Sequence, residues 1–127
     1  MSKVVADYKR YRVKATAKIN VAVQILHGQV GATVARIGTK DLLHEDPHSD
    51  PKRWKDKWQF SPGSGSQVAG KMLFITTAVA DVRKETDATG VSYQLTGGPD
   101  AFAWRFETSV DEAGGMVINQ MTVDFYA

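Results

Sequence analysis

Phe102-Ala-Trp-Arg-Phe-Glu-Thr-Ser-Val-Asp-Glu-Ala-Gly-Gly-Met-Val-Ile-Asn-Gln-Met-Thr-Val-Asp-Phe-Tyr-Ala127 is the stretch on which the reading of the fold turns. Gly114-Gly115 predicts a tight turn. A hairpin closed there sets Thr108 opposite Met121, Phe106 opposite Val123 and Trp104 opposite Phe125. The interleaved positions then pair Arg105 with Asp124 and Glu107 with Thr122. Side chains alternate with a period of two, so a slip of one residue would turn the whole apolar set toward water. The stretch predicts antiparallel sheet with one buried face. It names no reaction.

Working back toward the N-terminus, the odd positions from Tyr11 to Ile25 are mostly apolar, and the even ones include Arg12, Lys14, Lys18, Asn20 and Gln24. That is strand alternation over a length beyond the usual strand of roughly 3–10 residues, so the run is expected to bend or to change sheets. His27-Gly28 reads as a two-residue turn that sets Ile25 against Val30, Val23 against Ala32 and Val21 against Val34. The apolar pattern then slips at Ala35-Arg36, which predicts a β-bulge. Met72 to Ala80 is apolar on both faces and suits a central strand covered on both sides, by a second layer or by another subunit. Val91, Tyr93 and Leu95 make a further strand that stops at Gly97-Gly98-Pro99. Together these features predict an all-β domain spanning 1–127, an antiparallel sandwich or flattened barrel of about six or seven strands.

Residues 39–70 interrupt the pattern as one long insertion. Asp50-Pro51 reads as a helix start, and Trp54 and Trp58, four apart, then share one face of a short helix among Lys52, Arg53, Lys55 and Lys57. Ser61-Pro-Gly-Ser-Gly-Ser66 reads as flexible linker. Two exposed indoles with a cationic rim would anchor a ligand or a protein partner, and Trp54, Trp58, Lys52 and Arg53 are the binding residues expected. The competing arrangement has both indoles closing one end of the core under lysine stems.

Composition bounds the remaining possibilities. The chain of 127 residues has 43% hydrophobic and 24% charged residues, as a globular protein does, and no cysteine, which excludes disulfides and thiolate chemistry. Neither a transmembrane segment nor a signal peptide is legible, and a cytoplasmic location is expected. The net charge of +2 is unevenly placed: residues 1–18 carry six cations against Asp7, a net +5, and residues 97–127 carry Arg105 against five acids, a net −4. Both ends are expected to be solvated faces; the alternatives are that they are neighbours in one sheet or attract between subunits of a homo-oligomer.

His44-Glu45-Asp46-Pro47-His48-Ser49-Asp50 offers imidazoles and carboxylates, but Pro47 interrupts the helical spacing that would bring the histidines together, so no metal and no cofactor are expected. Tyr8 and Tyr11 among Lys9, Arg10 and Arg12 resemble a stacking platform, yet Tyr11 falls on the apolar side and the total charge is small, so nucleic acid is not the expected partner. No nucleophile elbow occurs. The function expected is a non-enzymatic recognition module acting through the insertion, as a homo-oligomer. The rivals are a small barrel enzyme pairing His44 or His48 with a carboxylate such as Glu107, and a structural subunit whose first strand extends a neighbour's sheet.

Overall fold

The long alternating run does change sheets. In the computed structural model, which describes residues 2–44, 55–80, 88–109 and 115–127, it divides into the end of β1 (Ser2–Arg12) and β2 (Lys18–Ile25). The chain continues through β3 (Val30–Ile37), β4 (Lys40–His44), β5 (Lys57–Ser64), the single helical turn α1 (Gly65–Val68), β6 (Met72–Ala80), β7 (Ala88–Thr96), β8 (Phe102–Ser109) and β9 (Met116–Tyr126). A five-stranded sheet has the order β1-β9-β6-β3-β4, and a four-stranded sheet the order β5-β2-β7-β8. Every pairing is antiparallel except β1 with β9. The two sheets stack as an all-β sandwich. Nine strands stand among the described residues, against six or seven expected, because β1 is separate from β2 and the insertion contributes β4 and β5.

Residues 102–127 do not form the expected hairpin. Strand β8 pairs with β7, matching Tyr93 with Trp104 and Val91 with Phe106, while β9 lies in the other sheet between β1 and β6. Alternation fixes which side chains face inward but not which strand lies alongside. Two stacked sheets both turn apolar residues inward, so an arch from one sheet to the other satisfies the same pattern as a hairpin. The expected pairs dissolve accordingly: Arg105 stands 3.8 Å from Glu107, and Asp124 stands 3.6 Å from Arg10. The turn at Gly114 lies outside the described residues.

His27-Gly28 corrects in the same way. His27 (φ 61°) and Gly28 (φ 72°) close a tight turn, with the Gln29 N–H donating to the Leu26 carbonyl at 3.3 Å. The strands that the turn joins nevertheless belong to different sheets. The irregularity expected at Ala35-Arg36 is present. Its extra residue sits in β4, where Ala35 pairs with Leu43 and Arg36 with Asp41.

Strand β6 is the middle strand of its sheet, as its composition predicts. Its inner residues Leu73, Ile75 and Val79 enter the core with Ile19, Val21, Val23, Tyr93, Leu95, Met121, Val123 and Phe125. A polar row crosses that inner face: Thr33 pairs with Thr77, their hydroxyls 3.1 Å apart, and Thr77 pairs with Asn119. Burial pushes the nearby Tyr93 phenol above its ordinary pKa, with the Thr77 hydroxyl acting in the opposite sense. The outer face of β6 is only partly covered, for Met72 and Phe74 are exposed. The basic first strand and the end of the acidic last segment are neighbours: beside the Arg10–Asp124 pair, the Tyr8 hydroxyl donates to Asp124 at 2.5 Å. That hydrogen bond to a carboxylate raises the Tyr8 pKa.

In the insertion, the residues expected to complete a helix form a strand. Trp58, Phe60 and Pro62 turn inward between Lys57, Gln59 and Ser61, a period of two that Trp54/Trp58 spacing masks in the sequence. Lys55 bridges Gly31 of the five-stranded sheet, and the Asp56 carbonyl accepts the Ile25 N–H of the other, so this corner ties the two sheets together. The expected linker is also structured. Ser61–Ser64 completes β5, the Gln67 amide oxygen accepts the Ser64 N–H, and Gly65 and Ser66 donate to Ala17 and Ala15. Among the described residues no helix is long and apolar enough to cross a membrane.

Candidate functional site

The outward positions of the four-stranded sheet are where polar groups converge. Ala22 of β2 pairs with Gln59 of β5 on one side and with Gln94 of β7 on the other. One pleat away, Asn20 pairs with Thr96. A methyl group between two long amides leaves a trough. Lys18, Asn20, Gln59, Ser61, Gln94 and Thr96 are its polar lining, around a cleft of about 440 Å³.

The wall beside β5 is shaped by a β-bulge. Between Ile19 and Val21 the partner strand steps from Gly63 to Phe60, one residue more than a regular ladder would take. The Ser61 hydroxyl donates to the Ile19 carbonyl there and accepts the Gly63 N–H at 3.2 Å, which fixes its position. Phe60 lines the cleft but is half-buried, packed against the core. No carboxylate and no imidazole lines it. Its chemistry is that of neutral donors and acceptors with one ammonium at the rim.

The residues expected from the sequence lie elsewhere. Trp58 is buried in β5, 6% exposed and paired with Val23, so its indole belongs to the core. Lys52, Arg53 and Trp54 lie outside the described residues, as does His48. His44 ends β4 at one edge of the sandwich. Glu107 stands on β8, the edge strand of the four-stranded sheet opposite β5, while β4 is an edge strand of the other sheet and packs near β5. The structure therefore separates His44 from Glu107. Glu107 is held instead by His27, 3.0 Å away. Tyr8 is exposed, whereas Tyr11 is buried, donating to the Asp100 carbonyl at 2.7 Å. Among the described residues no three histidines or carboxylates stand together.

The amides of the trough escape a reading that looks for rings and charges. Their signal in the sequence is that Asn20 and Gln94 fall on the polar side of strands where solvated faces more often carry Lys and Glu. Comparison with family models, with curated proteins and with solved structures finds no match for this chain.

Proposed function

We propose that the protein is a non-enzymatic recognition module whose four-stranded sheet binds a hydroxyl-rich chain, that is, a glycan, through the outer face of β2, β5 and β7. Strand β5 belongs to the 39–70 insertion, so the insertion still supplies one wall, through Gln59 and Ser61 rather than through indoles. What supports this reading is the pair Gln59 and Gln94 across Ala22, with Asn20 and Thr96 alongside. Each amide offers a donor and an acceptor on one rigid plane, and neighbouring sugar hydroxyls ask for both. Regular strands hold these groups in register, which lowers the entropy cost of binding.

Calorimetric titration with neutral hexasaccharides of glucose, mannose and galactose tests it. At least one is expected to bind. Gln59→Ala and Gln94→Ala are each expected to weaken that binding about tenfold, the equivalent of one hydrogen bond to a polar partner, with little change in melting temperature. Binding that survives both substitutions would remove the trough from consideration.

A second surface favours association as a homo-oligomer. Tyr8, Thr122 and Phe74 form one row across β1, β9 and β6 on the outer face of the five-stranded sheet, next to Met72 and Tyr126. Tyr8 is 48%, Met72 41% and Phe74 39% exposed. The free edge of β1 runs beside them. Apolar side chains grouped like this mark interaction surfaces. Light scattering at high protein concentration is expected to report a mass above that of one chain, and Phe74→Glu with Tyr8→Glu to reduce it to that of one chain. A wild-type protein that stays monomeric overturns this second reading.

A further inference from the structure

A second cleft, of about 660 Å³, opens between the turn from β3 to β4 and the end of β5, lined by Gly38, Thr39, Lys40, Gly63, Gln67 and Lys71 among others. Ser61 lines this cleft and the amide trough alike. It stands at the bulge of β5, the edge strand around which the two clefts meet. Their linings contain three charged residues, Lys18, Lys40 and Lys71, and no acid. In a chain of 16 basic and 14 acidic residues, that is a local excess of one sign.

The lysines stand on fixed backbone. Lys71 donates its N–H to the Val68 carbonyl, and its own carbonyl accepts the Phe125 N–H at 3.1 Å. Lys40 opens β4 directly after the tight turn at Gly38, whose N–H donates to the Met72 carbonyl. Asp41, the next residue, is paired in register with Arg36. Lys18 is paired with Ser64 at the far end of β5, so it marks the same end of the trough as the second cleft. All three side chains are exposed, and their ammonium groups can meet anions carried by a ligand.

Resting on the glycan reading above, we propose that the two clefts form one path around the β5 edge for an acidic glycan. The amides take its hydroxyls, and Lys40 and Lys71, with Lys18 at the junction, take carboxylate or sulfate groups. The path is electropositive where a neutral ligand would need no charge, and steering of an anionic chain along such a path depends on salt.

The test uses the full chain and three hexasaccharides: a galacturonate oligomer, a heparin oligomer and a neutral glucose oligomer. One or both acidic oligomers are expected to bind about tenfold more tightly than the neutral one at low salt, with the excess vanishing at about 0.5 M salt, where screening reaches within a few ångströms. Which acidic oligomer binds distinguishes carboxylate from sulfate. K40A/K71A and the reversal K40E/K71E are expected to abolish the excess and leave neutral affinity and melting temperature in place. Arg105→Ala, a cation removed from another edge, is expected to change nothing. Equal affinity for acidic and neutral oligomers, or an excess that survives K40E/K71E, overturns the acidic path and leaves the trough standing. Failure of all three oligomers overturns the acidic path, and the trough falls with it where the neutral mannose and galactose oligomers fail as well.

Discussion

Gly31→Ala is expected to destabilise the fold by at least about 3 kcal/mol, and to lower the melting temperature by roughly 10 °C or more. Gly31 lies in β3 with backbone on both sides. It is paired with Val79 of β6 across one edge, and across the other it exchanges both hydrogen bonds with Lys55, at 2.9 and 3.1 Å. A methyl group built on its Cα would collide with the Ala78 carbonyl, oxygen and carbon together, and would press on the Ile25 side chain at 3.1 Å. A flexible side chain could rotate away, but a carbonyl in the central strand cannot move without separating β3 from β6. Gly38→Ala supplies the contrast. Nothing lies within 4 Å of its built Cβ, and only the left-handed backbone (φ 55°) resists, a cost of about 1–2 kcal/mol. Chemical denaturation of the two variants reads the difference directly. Equal losses would mean that β3 does not approach β6 in the register described.

That glycine shows where the sequence stops being legible. Alternation along one strand is written in the chain: Ile19, Val21, Val23 and Ile25 are all buried, as are Val91, Tyr93 and Leu95. The length of the 11–25 run foretells its change of sheet, and the double-sided composition of Met72–Ala80 foretells its central position. Partnership between strands is not written in the same way. Trp104 finds Tyr93 beside it rather than Phe125, and Val21 finds Phe60 and Leu95 rather than Val34, because any inward-facing apolar residue satisfies the same alternation. Spacing can also satisfy two periods at once. Trp54 and Trp58 fit a helix face at four apart, while Trp58, Phe60 and Pro62 fit a strand, and the neighbouring β2 decides for the strand by offering Val23 and Val21. The amide trough is less legible still. Gln59 and Gln94 are 35 positions apart in the chain, and only the shared neighbour Ala22 brings them together.

Phe125→Ala is the second large effect, an expected loss of about 3–5 kcal/mol, as for other fully buried aromatic side chains. Phe125 is wholly buried in β9, and its backbone N–H is tied to the Lys71 carbonyl. Its ring meets Tyr11 edge-on at 6.3 Å, and Tyr11 meets Phe102 in the same manner, so the cavity left behind would open among rings that are themselves anchored. Tyr11 cannot swing into it freely, because its hydroxyl donates to Asp100 and accepts the Gly98 N–H at 3.0 Å. Coupling energies turn this into a test of topology. A double-mutant cycle of Tyr11→Leu with Phe125→Leu is expected to show about 0.5–1.5 kcal/mol of interaction, the range of edge-to-face pairs. The same cycle between Trp104 and Phe125 is expected to be additive within about 0.5 kcal/mol, since the indole packs under Lys9 and against Phe106 instead. Strong coupling of Trp104 with Phe125 and none with Tyr11 would restore the hairpin and dismantle the four-stranded sheet on whose outer face Gln94 meets Gln59 across Ala22.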